Sequence, residues 1–564
     1  MMKRNPGAGN RMSTLRGLCI KDARSLEDNN YFNRIAIGIV ILLGFVLRII
    51  GYDWGGERTI YQPDEYNVVH PIMEMVENQS FVNDNWTYPS RCTSQVIVAF
   101  LNVYTRINII DWIDYYYIVR FFYVLFSTIV ILLSYILIKK CCNNKNLALF
   151  FSFLIALNPI YIKYSKQAVG DTPVMMFWLV VGILMLDYLK SERCQYLLYM
   201  SFFAACATLE KWNGIGITIL IAIGVIYRNR REIGQLFLHG CISFISWGLF
   251  IFLLAPNVIT EGNNIVASMN AANPSLGSSL IQGHLEFFFA YVGLEAILLC
   301  IIGLYSMLIA ETNSGNGVCD NKFIPLSLAI IGLLEDWLLC EQLVERHGLM
   351  VFWGCTFLIA LGTFYFVKKG NAFRKAAILL MAIVIISWFA QSVLVDAVAV
   401  RSKNHDTRQV ALSYLNSIEA TVDNSTGEEY TPFNPPYADS TMEVCDINEL
   451  LYLDNDNQPC IAIPEKKYII LSEYSYEDRS SDGYRILREK GNLIKRFEGA
   501  YDADLFLFAT SPGKWWNFGL DIIRNTFDAI VTVCNSDMIG PWIEVYDVSE
   551  FAAEDCSEYG IYPE

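Results

Sequence analysis

Runs of mostly apolar residues, each near the length needed to cross a bilayer's hydrocarbon core as a helix, recur through the first 400 positions of the chain. They lie near 35–51, 117–138, 146–164, 173–189, 196–211, 213–227, 235–256, 285–307, 323–339, 348–366 and 375–397, which predicts eleven membrane spans. A twelfth candidate, 93–109, is interrupted by Asn102, Arg106 and Asn108, and reads as a helix lying at or dipping into the membrane interface. Past Val398 the pattern changes. Thr407 to Ile418 has amphipathic helical spacing, while Lys467–Ser472 and Trp542–Val548 carry the β-branched and aromatic content of strands. The expected organisation is a cytoplasmic segment 1–33, a membrane body 34–397 with a long first outer loop 51–116, and a soluble α/β domain 398–564.

Composition supports that division. The 564 residues are 54% hydrophobic with a mean hydropathy of +0.33, more apolar than a soluble chain of this length. The net charge is -15, yet Val398–Glu564 alone holds 13 Lys+Arg against 30 Asp+Glu. An apolar, near-neutral body therefore carries an acidic tail. Disorder, collagen, nucleic-acid binding and a small disulfide scaffold are excluded as descriptions of the whole.

Orientation follows from where short loops keep Lys and Arg. The N-terminal segment has Lys3, Arg4, Arg11, Arg16, Lys21, Arg24 and Arg34; alternate loops hold Lys139, Lys140 and Lys145, then Lys190 and Arg193, then Arg228, Arg230 and Arg231, then Lys368, Lys369, Arg374 and Lys375. This predicts a cytoplasmic N-terminus and an extracytoplasmic C-terminal domain. The triplets Asn78-Gln-Ser, Asn85-Trp-Thr and Asn424-Ser-Thr fall on the outer face, as do Cys445, Cys460, Cys534 and Cys556, which suit either disulfides or four free thiols. The N-terminal segment is too polar and basic for a cleaved signal peptide, so the first span is expected to be the anchor.

The outer ends of the spans collect charge. Asp64 and Glu65 follow Pro63 in the first outer loop, where carboxylates either cap a helix or act on a substrate. Asn158-Pro159 should kink the third span, and a turn from Tyr161 to Pro173 then brings Lys163, Lys166 and Asp171 to the mouth of the bundle. Asp171-Thr-Pro also reads as a plain helix start. Arg120, Glu210-Lys211 and Glu345-Arg346-His347 complete the set. Singly, each could be a snorkelling charge. Together they suit a site for an anionic, lipid-borne substrate.

Transfer of a sugar from a polyprenyl phosphate needs a carboxylate to deprotonate the acceptor hydroxyl and fixed cations to stabilise the departing phosphate. Asp64 is the candidate base; Lys166, Lys211 and Arg346 are candidate phosphate clamps, and His70, Arg120 and His347 are candidate substrate contacts. The chain has no Walker A loop, GxGxxG, HExxH or CxxC, and its five histidines are scattered. A soluble nucleotide donor is therefore not expected.

These residues resemble the GT-C superfamily of lipid-phosphate-dependent glycosyltransferases, above all family 39, with its protein O-mannosyltransferases and the aminoarabinose transferase of lipid A. Pro63-Asp64-Glu65 resembles the family's catalytic Asp-Glu motif, and Tyr164–Val174 its second Asp motif. Ala207-Thr-Leu-Glu-Lys211-Trp-Asn-Gly resembles its Lys segment, and Glu345-Arg346-His-Gly its Arg-Tyr entrance to a late span. In the tail, Asp406–Leu415 and Gly540–Tyr546 are similar to the outer domain of prokaryotic members. Two departures stand out: His347 in place of Tyr, and Glu210 before Lys211 where Thr is commoner.

The resemblance implies a polytopic GT-C helical bundle whose C-terminal α/β domain lies outside the cytoplasm, in the plasma membrane if the source is prokaryotic. It implies an inverting transfer with Asp64 as base, Asp171 positioning substrate, and Glu65 binding a sugar hydroxyl or a cation. No cofactor is fixed, and a divalent cation stays open. The partners implied are a polyprenyl-phosphate sugar, a glycan, lipid or protein acceptor, and membrane lipids. A lipid-linked sugar flippase is the rival reading, with Glu295 near the middle of the eighth span as its motive. An anchored binding or sensory protein is a third. The transferase is preferred because no internal repeat is visible and the polar residues gather at one face.

Overall fold

The computed structural model describes residues 31–54, 63–82, 92–109, 111–191, 193–256, 293–308, 323–339, 348–369, 371–417, 451–453, 459–461, 468–472, 482–499, 519–539 and 542–553. Helix α1 (Tyr31–Ile49) is followed by α2 (Pro63–Glu77) and α3 (Cys92–Tyr104) of the first loop, then α4 (Trp112–Cys142). The body continues with α5 (Lys145–Leu157), α6 (Pro159–Ser165), α7 (Asp171–Ser191), α8 (Gln195–Glu210), a 3-10 turn (Trp212–Gly216), α9 (Ile217–Asn229) and α10 (Ile233–Leu254). Helices α11 (Gly293–Leu308), α12 (Phe323–Leu339), α13 (Leu349–Lys369) and α14 (Asn371–His405) follow.

Over the described residues the predicted spans fall on helices, but the count of eleven is not what those residues give. Six helices, α1, α4, α7, α10, α13 and α14, are long and apolar enough to cross a membrane, and α5 with α6 makes a seventh if taken as one span bent by 57°. Helices α8 and α9 fall short because apolar runs do not reveal where a helix stops, while residues 285–292 of the eighth predicted span lie outside the described residues. Helix α8 has 16 residues, and extended backbone at Lys211 followed by the 3-10 turn separates it from the 13-residue α9. The bend between α5 and α6 lies at Asn158-Pro159, where Asn158 Oδ1 accepts from Ile160 N at 3.0 Å. Part of the expected turn from Tyr161 to Pro173 is helical, since α6 runs to Ser165 and α7 opens on Asp171 itself.

The bundle has one large apolar core that contains Trp178, Trp353, Trp388 and Phe151, all buried. Trp353 Nε1 donates to Ser134 Oγ at 2.9 Å, which gives the indole the polar partner that burial requires. A second core joins α2 and α3 to α4 through Val69, Ile72, Ile97, Leu101, Tyr116 and Tyr123. The first-loop helices are thus packed onto the bundle. Helix α10 has His239 as its buried residue and leaves Ile233, Phe237, Phe244 and Leu253 exposed, a surface suited to lipid. The protein is a multi-pass membrane protein.

The last helix of the body does not end at the expected boundary: α14 continues through Val398 to His405. After it come α15 (Thr407–Ser417), β1 (Leu451–Leu453), β2 (Pro459–Ile461), β3 (Tyr468–Ser472), α16 (Asp482–Lys490), β4 (Asn492–Phe497), α17 (Gly519–Asn535), β5 (Ile543–Asp547) and β6 (Ala552–Ala553). One sheet has the order β1-β2-β6; the other, β3-β5-β4, is antiparallel throughout and pairs the two predicted strands, Ile469 opposite Tyr546. Cys460 is buried and Cys534 exposed, while Cys445 and Cys556 lie outside the described residues, as do Asn85 and Asn424 of the sequons.

Candidate functional site

The break after Leu157 leaves the last carbonyls of α5 without helical partners, and buried groups of this kind must be satisfied. Arg48, fully buried near the end of α1, donates to Ile155 O at 3.2 Å and Ala156 O at 3.1 Å, and its Nε bonds Ser127 Oγ at 2.8 Å. Ser392 of α14 supplies Leu157 O at 2.9 Å. The end of α1 is closed in the same way by Lys166. Its Nζ donates to Leu47 O, Arg48 O and Ile50 O at 3.0, 3.2 and 2.5 Å, and stands 2.9 Å from Asp396 Oδ1 of α14. Lys166 is 1% exposed. Lys166, expected as a phosphate clamp, here caps the end of α1 and pairs with Asp396, contacts that its place in a loop of charges did not reveal.

Glu65 is likewise committed. Both of its oxygens face Arg120 in a bidentate pair, Nε to Oε1 at 2.9 Å and Nη2 to Oε2 at 2.5 Å, and Oε1 also accepts from Ala168 N at 2.8 Å. Arg120 donates its Nη1 to Trp54 O at 2.5 Å and lies over the Trp54 ring, 4.6 Å from its centroid. Trp54 Nε1 in turn donates to Lys166 O at 2.8 Å. Glu65 and Arg120 are buried. They join the first turn of α2, the start of α4 and the segment just before Asp171. Glu65 and Arg120, expected as substrate contacts, are joined to each other in this strut.

Asp64 precedes Glu65 on the first turn of α2, after Pro63. Asp171 opens α7, and its Oδ1 lies 2.7 Å from Lys211 Nζ, which reaches it from the C-cap of α8. The Asp171 side chain is 6% exposed and that of Lys211 31%, so this cation, unlike Lys166, remains open to a ligand. Lys211 is aimed by its flanks. Glu210, buried, accepts from Thr93 N and Thr93 Oγ1 at 2.7 Å each, tying α8 to the first turn of α3. On the other side Gly214 lets the chain fold back: its N–H donates to Lys211 O at 2.7 Å, and a Cβ there would stand 2.0 Å from Ala207 O.

Of the remaining expected residues, His70 pairs with Glu74 along α2 at 3.0 Å. Lys163 is buried, with Nζ 5.0 Å from the Tyr164 ring centroid. Arg346 and His347 lie outside the described residues; α13 begins just after them, where Tyr161 Oη donates to Leu349 O at 2.8 Å. Among the described residues no three His, Cys, Asp or Glu stand close enough to share a metal ion. Arg48, Asp396 and Trp54 were not anticipated. Arg48 and Asp396 fall within predicted spans, and a buried charge there was a signal that could have been followed.

Residues 116–259 match the family described as dolichyl-phosphate-mannose-protein mannosyltransferase, a stretch that contains Arg120, Asp171 and Lys211. No curated protein sequence matches the chain. Among solved structures it is similar to the Archaeoglobus fulgidus oligosaccharyltransferase tethered to an acceptor peptide with the NVT sequon, at 13% identity and TM-score 0.48, over 78% of this chain and 69% of that one. The same organism's oligosaccharyltransferase AglB, in complex with an inhibitory peptide and a dolichol-phosphate, gives 13% identity and TM-score 0.43 over 74% and 61%. ArnT from Cupriavidus metallidurans, bound to undecaprenyl phosphate, gives 12% identity and TM-score 0.45 over 82% and 95%.

Proposed function

We propose that this protein is a GT-C glycosyltransferase that moves a sugar from a polyprenyl phosphate to an acceptor hydroxyl on the extracytoplasmic face, with inversion. Asp64 accepts the acceptor's proton as its oxygen attacks the anomeric carbon. The bond from that carbon to the phosphate oxygen breaks, and the polyprenyl phosphate leaves with the electron pair. Lys211 meets the negative charge that develops on it, oriented by Asp171, and Arg346 is the second cation. Such fixed charges act because they are in place before the bond breaks. The cytoplasmic N-terminus and the extracytoplasmic α/β tail follow from the Lys and Arg pattern of the loops.

The observation that carries this reading is the union of three distant motifs. Glu65, beside Asp64, bonds Ala168 N, three residues before Asp171, and Asp171 meets Lys211. The test is release of polyprenyl phosphate in membranes supplied with a panel of radiolabelled polyprenyl-phosphate hexoses and acceptor extract. Wild type is expected to release it, and Asp64→Ala to fall by about 100-fold or more, the scale of a lost general base. Equal release from both would remove Asp64 from the mechanism, and release from neither would overturn the donor class.

A further inference from the structure

Helix α3 meets α8 where the first turn of one touches the last turn of the other. Thr93 gives both its N–H and its hydroxyl to the Glu210 carboxylate, at 2.7 Å each. Each side of this joint carries a cysteine. Cys92, the residue before Thr93, opens α3; Cys206 stands four residues before Glu210, one turn back on the same face of α8. Cys206 is 2% exposed and belongs to the large apolar core, and the half-buried Cys92 packs against that core.

The two thiols are in contact. A hydrogen bond to Cys206, then burial, then the charges of Cys206 and Glu210 hold the Cys92 thiol well above the ordinary thiol range, so Cys92 rests protonated. A single buried cysteine serves as a small apolar side chain. Two in contact, with one of them within reach of solvent, are the reduced form of a disulfide, because sulfurs this close need only side-chain rotation to bond. On the orientation proposed above, the joint lies on the extracytoplasmic side, where disulfides persist.

We propose that Cys92 and Cys206 form an oxidation site, which a disulfide oxidant converts into a covalent link between α3 and α8. Cys92, the more exposed, loses its proton and attacks one sulfur of the oxidant; the thiolate released takes up a proton. Cys206 then attacks the Cys92 sulfur of the mixed disulfide, the Sγ–Sγ bond forms and the second oxidant thiol leaves. Two cysteines are oxidised and one disulfide is reduced. The link makes the joint beside Lys211 covalent.

The test incubates the full-length protein, purified in detergent, with glutathione disulfide. Remaining thiols are then blocked with iodoacetamide under denaturing conditions, and the cysteines are mapped by mass spectrometry. Glutathione adducts on the exposed Cys194 and Cys534 show that the oxidant is active. The peptides holding Cys92 and Cys206 are expected as one linked species, lighter by two hydrogens than their sum and split by dithiothreitol, with loss of iodoacetamide label at both. Cys206→Ser should stop at a glutathione adduct on Cys92, and Cys92→Ser should leave Cys206 unreacted with glutathione. Full alkylation of both cysteines in wild type, while Cys194 and Cys534 carry adducts, would overturn the proposal. So would glutathione retained on wild-type Cys92 without a link, or Cys92 linked to a cysteine other than Cys206.

Discussion

The buried Glu65–Arg120 pair gives a prediction whose size can be worked out. The two side chains are 0% and 4% exposed, so solvent screens the pair very little. Removing one member of such a pair leaves a buried charge uncompensated, at about 3–5 kcal/mol. Glu65→Leu also strands Ala168 N–H, for about 1–3 kcal/mol more. Arg120→Met leaves the carboxylate with that one donor and is expected to cost about 3–5 kcal/mol. The double variant carries no buried charge and should lose only about 1–3 kcal/mol, chiefly from the orphaned Ala168 N–H and Trp54 C=O. A double-mutant cycle should therefore show the pair coupled by about 3 kcal/mol or more. Reversible unfolding in mixed detergent–SDS micelles reads all four proteins, and polyprenyl phosphate release follows activity in parallel. Additive losses, or single variants within about 0.5 kcal/mol of wild type, would show that the pair does not hold the first loop to α4.

The other predictions are shorter. Lys211→Met should leave folding intact and lower sugar transfer by about 100-fold, whereas Lys166→Met should chiefly lower stability, by about 3–5 kcal/mol, because it strands Asp396 and the end of α1. Comparing thermal unfolding with transfer rate separates the two, and equal effects would refute the distinction between an open and a capping lysine. Gly214→Ala places a Cβ 2.0 Å from Ala207 O and 2.4 Å from its carbon, so the turn must open and Lys211 must move. Transfer should fall with the Asp171–Lys211 contact, and a fully active variant would show that the turn does not aim Lys211.

Apolar periodicity located the helices because a segment that buries its backbone in lipid must be helical. It could not locate their ends. Those depend on partners far along the chain, such as Arg48 for the carbonyls of α5 and Lys166 for those of α1. The bend at Asn158-Pro159 was legible because proline lacks the amide donor that a continuous helix needs. The tail's β3 and β5 were legible from their β-branched runs, and each found the other as its partner. Helix α17 was not, since its apolar lanes are interleaved with Asp521, Arg524 and Asp528 and never form a run.

The roles of the charged residues were harder to read than their places. Sequence order brings Glu65, Arg120, Lys166, Asp171 and Lys211 to one end of the bundle, but it cannot say which of them are occupied by the protein. Burial and bonding divide them. Glu65, Arg120 and Lys166 are closed off and bind helix ends or one another, while Lys211 keeps a third of its side chain open next to a nearly buried Asp171. This division has a physical basis. A transfer site at a membrane surface must hold its reacting groups to within fractions of an ångström, and loops do that only if their backbone is fixed. The buried Glu65–Arg120 pair and the Lys166 cap with its Asp396 partner provide that fixity, because every displacement would expose an unpaired charge to a medium of low dielectric. On the proposed mechanism, the charges closed off within the protein are thus what would hold Asp171 and Lys211 still enough to act.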